Sequence, residues 1–138
     1  MKFEKYFKNY NKSIFNLLND LDISLIDKSV ELIQECKKNK GKTYIIGNGG
    51  SSSIASHVSV DFTKVAKIKS STFNNSNFIT CFANDYGYEN WVKEAIKAHC
   101  LKEDLLILIS SSGKSPNIIN AAKYCKDKNI DLITLSGF

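Results

Sequence analysis

The sequence predicts an α/β fold: a doubly wound parallel sheet flanked by helices, with two further helices ahead of the first strand. Three observations carry this reading. Short, mostly apolar runs at 43–46, 77–82, 105–109 and 131–135 alternate with helical patterns at 52–66, 88–99 and 117–128. Strands covered on both faces by crossover helices have this composition. Two runs of small residues each leave a strand and open a helix: Gly47-Asn48-Gly49-Gly50-Ser51-Ser52-Ser53 and Ser110-Ser111-Ser112-Gly113-Lys114-Ser115. Finally, 2–19 and 24–39 space their apolar residues as helices do.

In chain order, the first helix carries Phe3, Tyr6, Phe7, Tyr10, Ile14, Leu17 and Leu18, and the second Leu25, Val30, Leu32, Ile33 and Cys36. Gly41 is expected to stop the second. Two leading helices exceed what a nucleotide-binding fold needs. Their aromatic stripe belongs either to the core or to a contact with another subunit. Residues 67–76 have loop composition. The last strand candidate is followed only by Ser136, Gly137 and Phe138. A doubly wound sheet normally covers such a strand, so the expectation is a chain shortened relative to a longer parent.

Composition narrows the function. A chain of 138 residues with 43% hydrophobic content and a single proline has the mass and character of one ordered domain. No apolar run approaches the roughly 18 residues that cross a bilayer, and the charged start has no signal-peptide pattern. The cytoplasm is the expected location. Four scattered cysteines fit neither a zinc ribbon nor a redox pair and read as free thiols. The net charge of +5 suits anionic partners. All 19 basic residues are lysines, however, and they are scattered, which argues against nucleic acid.

The two loops point to a small anion. Turns of this kind aim backbone N–H groups at a ligand from a helix N-terminus. A dinucleotide fingerprint would need glycine at 52, where Ser52 stands, and an acidic residue ending the second strand, where Thr80-Cys81-Phe82 stand. A P-loop would need glycine at 108, which is leucine. A monophosphate cradle fits better, because Ser110, Ser111, Ser112 and Ser115 can all offer hydroxyls to one anion. The plainer alternative is a serine-rich turn that caps a helix. His57 and Asp61 share a helix face beside an expected buried stripe of Ile54, Val58, Phe62 and Val65. Such a pair can bind a divalent metal, divide acid and base work, or be an ordinary surface pair. Asp85, after the 77–82 run, is expected at the same sheet edge as both loops. It is either a residue of a helix N-cap region or a hydroxyl-binding carboxylate.

At these residues the chain resembles a sugar isomerase (SIS) domain, specifically the phosphoheptose isomerase group. Gly47-Asn48-Gly49-Gly50-Ser51 with His57, Ala83-Asn84-Asp85-Tyr86-Gly87-Tyr88-Glu89, and Ser110-Ser111-Ser112-Gly113-Lys114-Ser115 with Asn117-Ile118 carry the resemblance over the whole chain. It implies a flavodoxin-like SIS domain over 41–138, incomplete at its C-terminus, behind an oligomerising helical segment at 1–40. It also implies aldose–ketose isomerisation of sedoheptulose 7-phosphate by a homotetramer with sites between subunits. Asn48, Gly49, Ser51, Asp85, Ser110, Ser111, Ser112 and Ser115 would bind substrate. Asp61 stands where the group has a glutamate base, and His57 matches a histidine that helps bind zinc in some members. The group's glutamine and histidine that complete the site lie in a tail with no counterpart here. The alternative is a non-catalytic SIS-type binding or scaffold protein, serving as an oligomeric protein partner or a sugar-phosphate sensor.

Overall fold

A computed structural model describes residues 2–137. The elements run α1 (Lys2–Asn19), α2 (Ile23–Lys38), β1 (Thr43–Gly47), α3 (Gly50–Lys64), β2 (Ser70–Ser71), α4 (Ser76–Tyr86), α5 (Trp91–His99), β3 (Leu105–Ser110), α6 (Pro116–Lys128) and β4 (Asp131–Ser136). The chain divides into two compact units between Val30 and Glu31. In the first unit, Phe3, Tyr6, Phe7, Tyr10 and Phe15 are exposed along α1, with the Tyr6 and Tyr10 rings stacked at 6.2 Å.

The second unit holds a four-stranded parallel sheet in the order β2-β1-β3-β4. From β1 the chain steps outward to β2, returns past β1 to β3, and continues to β4. The winding therefore reverses between β1 and β3. The register there runs from Thr43 opposite Leu105 to Gly47 opposite Ile109. Alternate side chains go to opposite faces. Tyr44, Ile46, Leu106 and Leu108 meet Trp91, Val92, Ala95 and Ile96 of α5 and Ile118, Ala121 and Cys125 of α6. Ile45, Leu105, Ile107 and Ile133 meet Cys36 of α2 and Ala55 of α3. The expected doubly wound α/β fold is what the chain adopts. Asp104 locks the sheet's lower edge, its buried carboxylate accepting the Lys42 and Leu101 N–H groups, each at 2.8 Å.

Two elements differ from expectation. Residues 77–82 lie inside helix α4, and the second strand is the two-residue Ser70–Ser71 within the segment of loop composition. The Asn-Phe-Ile-Thr-Cys-Phe run has the aromatic and β-branched content of a strand. The Asn75 side chain nevertheless accepts the Phe78 N–H at 2.9 Å and starts a helix. Phe78, Ile79, Phe82 and Ala83 then fall on its core-facing side. A further difference is small: the left-handed turn ending α2 falls on Lys40 (φ 63°), one residue before Gly41.

Two outcomes follow from the core. Replacing the fully buried Ile46 by alanine should cost about 2–5 kcal/mol in urea unfolding. The exposed Val65→Ala should stay within about 0.5 kcal/mol. Burial also pushes the Cys125 thiol up to about 11 from 9.0. Burial, reinforced by the Asp104 carboxylate, raises Cys100 in the same direction. Unfolded thiols ionise first, so the stability contributed by the buried neutral forms is complete below pH 9 and is lost as pH rises towards 11. The urea midpoint should fall across that window, and less steeply in Cys125→Ala.

Candidate functional site

Parallel strands bring their C-terminal ends to one edge, so the loops after β1 and β3 are neighbours at the reversal point. Open α/β sheets bind ligands there. The first loop needs glycine for two reasons. A Cβ on Gly47 would lie 2.6 Å from the Cβ of Ser51, and Gly49 takes φ 52°. Gly49 is the N-cap of α3 and supplies no side-chain cap; Ser115, the N-cap of α6, also makes none. Both helices thus begin at this edge without a side-chain cap. In their first turns the Ser51, Ser52 and Ile118 N–H groups go to the Asn48, Gly49 and Ser115 carbonyls, and Pro116 has no N–H to give. α4 starts differently, capped by Asn75.

The serine loop is a tight turn, closed by the Gly113 N–H on the Ser110 carbonyl at 3.0 Å. Ser110, 7% exposed, donates from Oγ to Ser115 Oγ at 3.2 Å. The Lys114 N–H reaches Ser112 Oγ at 3.2 Å. Ser111 is exposed at the tip, and its carbonyl accepts the Gly137 N–H at 3.0 Å. Behind this loop a cavity of about 180 Å³ opens over Leu108, Ile118, Thr134 and Leu135. That is below the ~300–1,000 Å³ usual for ligand pockets. The edge is a platform, open on one side.

Three contacts tie the first loop to its surroundings. The Asn48 and Asn117 amides exchange two hydrogen bonds, each 2.9 Å. Asn74 donates from Nδ2 to the Gly47 carbonyl at 2.7 Å and accepts the Gly47 N–H at 3.1 Å. Tyr88 Oη donates to Asn48 Oδ1 at 3.5 Å. Sequence reasoning gave no role to Asn74, Asn117 or Tyr88. Asn74 lay in apparent loop, and only the strand pairing brings it to Gly47. Asn117 and Tyr88 lay inside recognisable motifs but carried no signal of their partner.

The predicted residues separate into two groups. Asn48, Gly49, Ser51, Ser110, Ser111, Ser112 and Ser115 sit on or beside the two loops at the sheet edge. His57 and Asp61 lie farther along α3. His57 Nε2 stands 3.4 Å from Asp61 Oδ2, with the side chains 80% and 53% exposed. Of the expected buried stripe, Val58 and Phe62 do pack on the core, but Ile54 and Val65 are exposed beside this pair. Asp85 belongs to the last turn of α4, since the preceding run is helix, and accepts the Asn84 amide at 2.9 Å. Zinc sites take three or four protein ligands. His57 and Asp61 supply two, and no group of three His, Cys, Asp or Glu side chains suited to a metal occurs among the described residues.

The comparisons agree with this geometry. Residues 5–137 match the SIS domain. A curated relative, phosphoheptose isomerase 2 of Campylobacter jejuni, is 36% identical over 130 residues, covering 88% of this chain and 64% of its own. A phosphoheptose isomerase of Helicobacter pylori is 34% identical over 140 residues, 97% of this chain and 72% of its own. Among solved structures, a phosphoheptose isomerase from Neisseria gonorrhoeae superposes with a TM-score of 0.87 at 26% identity, covering 99% of this chain and 75% of that one. The chain thus spans about two thirds of the length of these curated relatives. A sheet that reverses its winding between two uncapped, hydroxyl-rich loops, matched along nearly its whole length, places this chain in the SIS domain family, among the phosphoheptose isomerases.

Proposed function

We propose that this chain binds a sugar phosphate and takes part in aldose–ketose isomerisation of sedoheptulose 7-phosphate. The observation that carries the reading is the convergence of two uncapped helix N-termini with the hydroxyls of Ser51, Ser110, Ser111, Ser112 and Ser115 at one sheet edge. Partial positive charge and donors gathered there suit a phosphate dianion. Binding the phosphate fixes the remote sugar carbons, and that orientation lowers the barrier to the chemical step. Asp85 is the carboxylate we assign to sugar hydroxyls.

Isomerisation moves a proton between the carbonyl-adjacent carbon and its neighbour through an enediol. Asp61 is the proposed base. It takes the proton from one carbon and returns it to the next, while His57 shares the acid–base work beside it. Asp61 lies eleven residues beyond Gly50, about 16 Å down α3 at ~1.5 Å per residue. One sugar cannot easily touch both the loops and Asp61 of the same copy. We therefore assign the site to the meeting of two copies within a homotetramer. The exposed α3 face of Ile54, His57, Asp61 and Val65 and the aromatic face of α1 are surfaces suited to that assembly. Zinc joins this reading only with further ligands from another copy. No described helix is long and apolar enough to cross a membrane. The cytoplasm is the compartment we assign, where the four free cysteines would remain thiols.

NMR of the purified chain with sedoheptulose 7-phosphate in D2O tests the base. Deuterium should enter beside the carbonyl, and Asp61→Asn should slow this by about 10²–10⁴-fold, the usual contribution of a positioned base. Sugar signals broadened by binding with no exchange would favour a non-catalytic sensor or scaffold. Mixing Asp61→Asn with a Ser110→Ala, Ser112→Ala double variant tests the shared site. Exchange should return in the mixture although neither variant shows it alone.

A further inference from the structure

Resting on the reading of these loops as the phosphate site, we infer that Asn117 is a positioning residue. Through its amide pair with Asn48 it holds the first loop and the N-terminus of α6 at one separation, so both present donors to the same anion. The inference starts from burial. Asn117 is 1% exposed in the first turn of α6. Nothing in the helix itself calls for asparagine there. Its intrinsic preference for helix interiors is low, and the N-cap position belongs to Ser115, whose carbonyl takes the Ile118 and Ile119 N–H groups.

A buried amide is costly unless its hydrogen bonds are made. Asn117 makes two, both to one side chain 69 residues away in sequence. Two parallel hydrogen bonds between planar groups fix distance and orientation together, as a single bond does not. From the opposite side Asn74 grips the Gly47 peptide by both its N–H and its carbonyl. The Gly47–Asn48 step is therefore clasped by amides from the β2–α4 connection and from α6. That matters because three of the four residues 47–50 are glycine, the residue that loses most freedom on ordering. A loop clasped in advance spares the ligand that ordering cost. Were the pair only a means of satisfying two polar groups, its loss would lower stability and leave the affinity of folded molecules unchanged.

The test is titration calorimetry of the full chain with sedoheptulose 7-phosphate, for wild type, Asn117→Ala and Asn117→Leu, with Ile96→Val as a destabilised core control away from the loops. The Asn48 side-chain amide protons are followed by 15N NMR in the same samples. Both Asn117 variants should bind about tenfold more weakly or worse, the scale of a lost buried polar pair. The Asn48 amide signals should move, and Ile96→Val should bind as wild type does. If alanine prevents folding, leucine, of closer volume and without hydrogen bonds, carries the measurement. Wild-type binding with unchanged affinity in a folded Asn117 variant, or unmoved Asn48 signals, overturns the inference while leaving the phosphate site standing. A wild-type chain that binds no sugar phosphate overturns both.

Discussion

The pairing of β1 with β3 is the interaction on which the rest of this molecule depends. Its five registered residue pairs join two strands that are buried almost throughout. Each strand feeds side chains to both layers of helices. Because the pairing is parallel, both strands end at the same edge, and strands lie ~4.8 Å apart. The two loops must then emerge side by side. From β1 the chain winds outward to β2 and from β3 it winds the other way to β4, so the winding reverses where the two loops leave the sheet. The first turns of α3 and α6 therefore both start from that edge.

The chemistry divides along the same lines. At the sheet edge, donors are gathered by main-chain geometry: glycines that permit close turns, and helix starts left without side-chain caps. Such groups suit the binding of charge and not the transfer of a proton. The groups able to do acid–base work, His57 and Asp61, are carried outward on α3, exposed and close to each other. On the proposed reading, binding and chemistry are held on separate surfaces of one chain. That reading joins them through a second copy, for which the exposed apolar residues Ile54 and Val65 beside His57 and Asp61 are suited.

Much of this was legible from residue order. Gly47 to Ser53 and Ser110 to Ser115 announce themselves because turns at helix starts demand small residues and hydroxyls, whatever surrounds them. The strands 43–46, 105–109 and 131–135 were visible as apolar runs; in the first two, burial on both faces leaves no polar alternation, while the last is an edge strand with only Ile133 buried. Residues 77–82 misled for the same reason: a short apolar run has no period long enough to distinguish strand from buried helix. The Asn75 cap and the spacing of Phe78 and Phe82 decide for helix. That choice moves Asp85 from a strand end to a helix end. Ser70–Ser71 was illegible as a strand because two polar residues qualify only by pairing with Thr43 and Tyr44.

By itself, then, the sequence determined the fold class, the two small-residue loops at helix starts and the family, all of which rest on local composition and spacing along the chain. Only the tertiary structure decided that Asn48 meets Asn117, that Asn74 clasps Gly47, and that Asp61 stands well down α3 from the loops. Those facts depend on which strands lie side by side and where each helix crosses. Hydrogen bonds between residues 27 or 69 positions apart leave no periodic trace in a single chain.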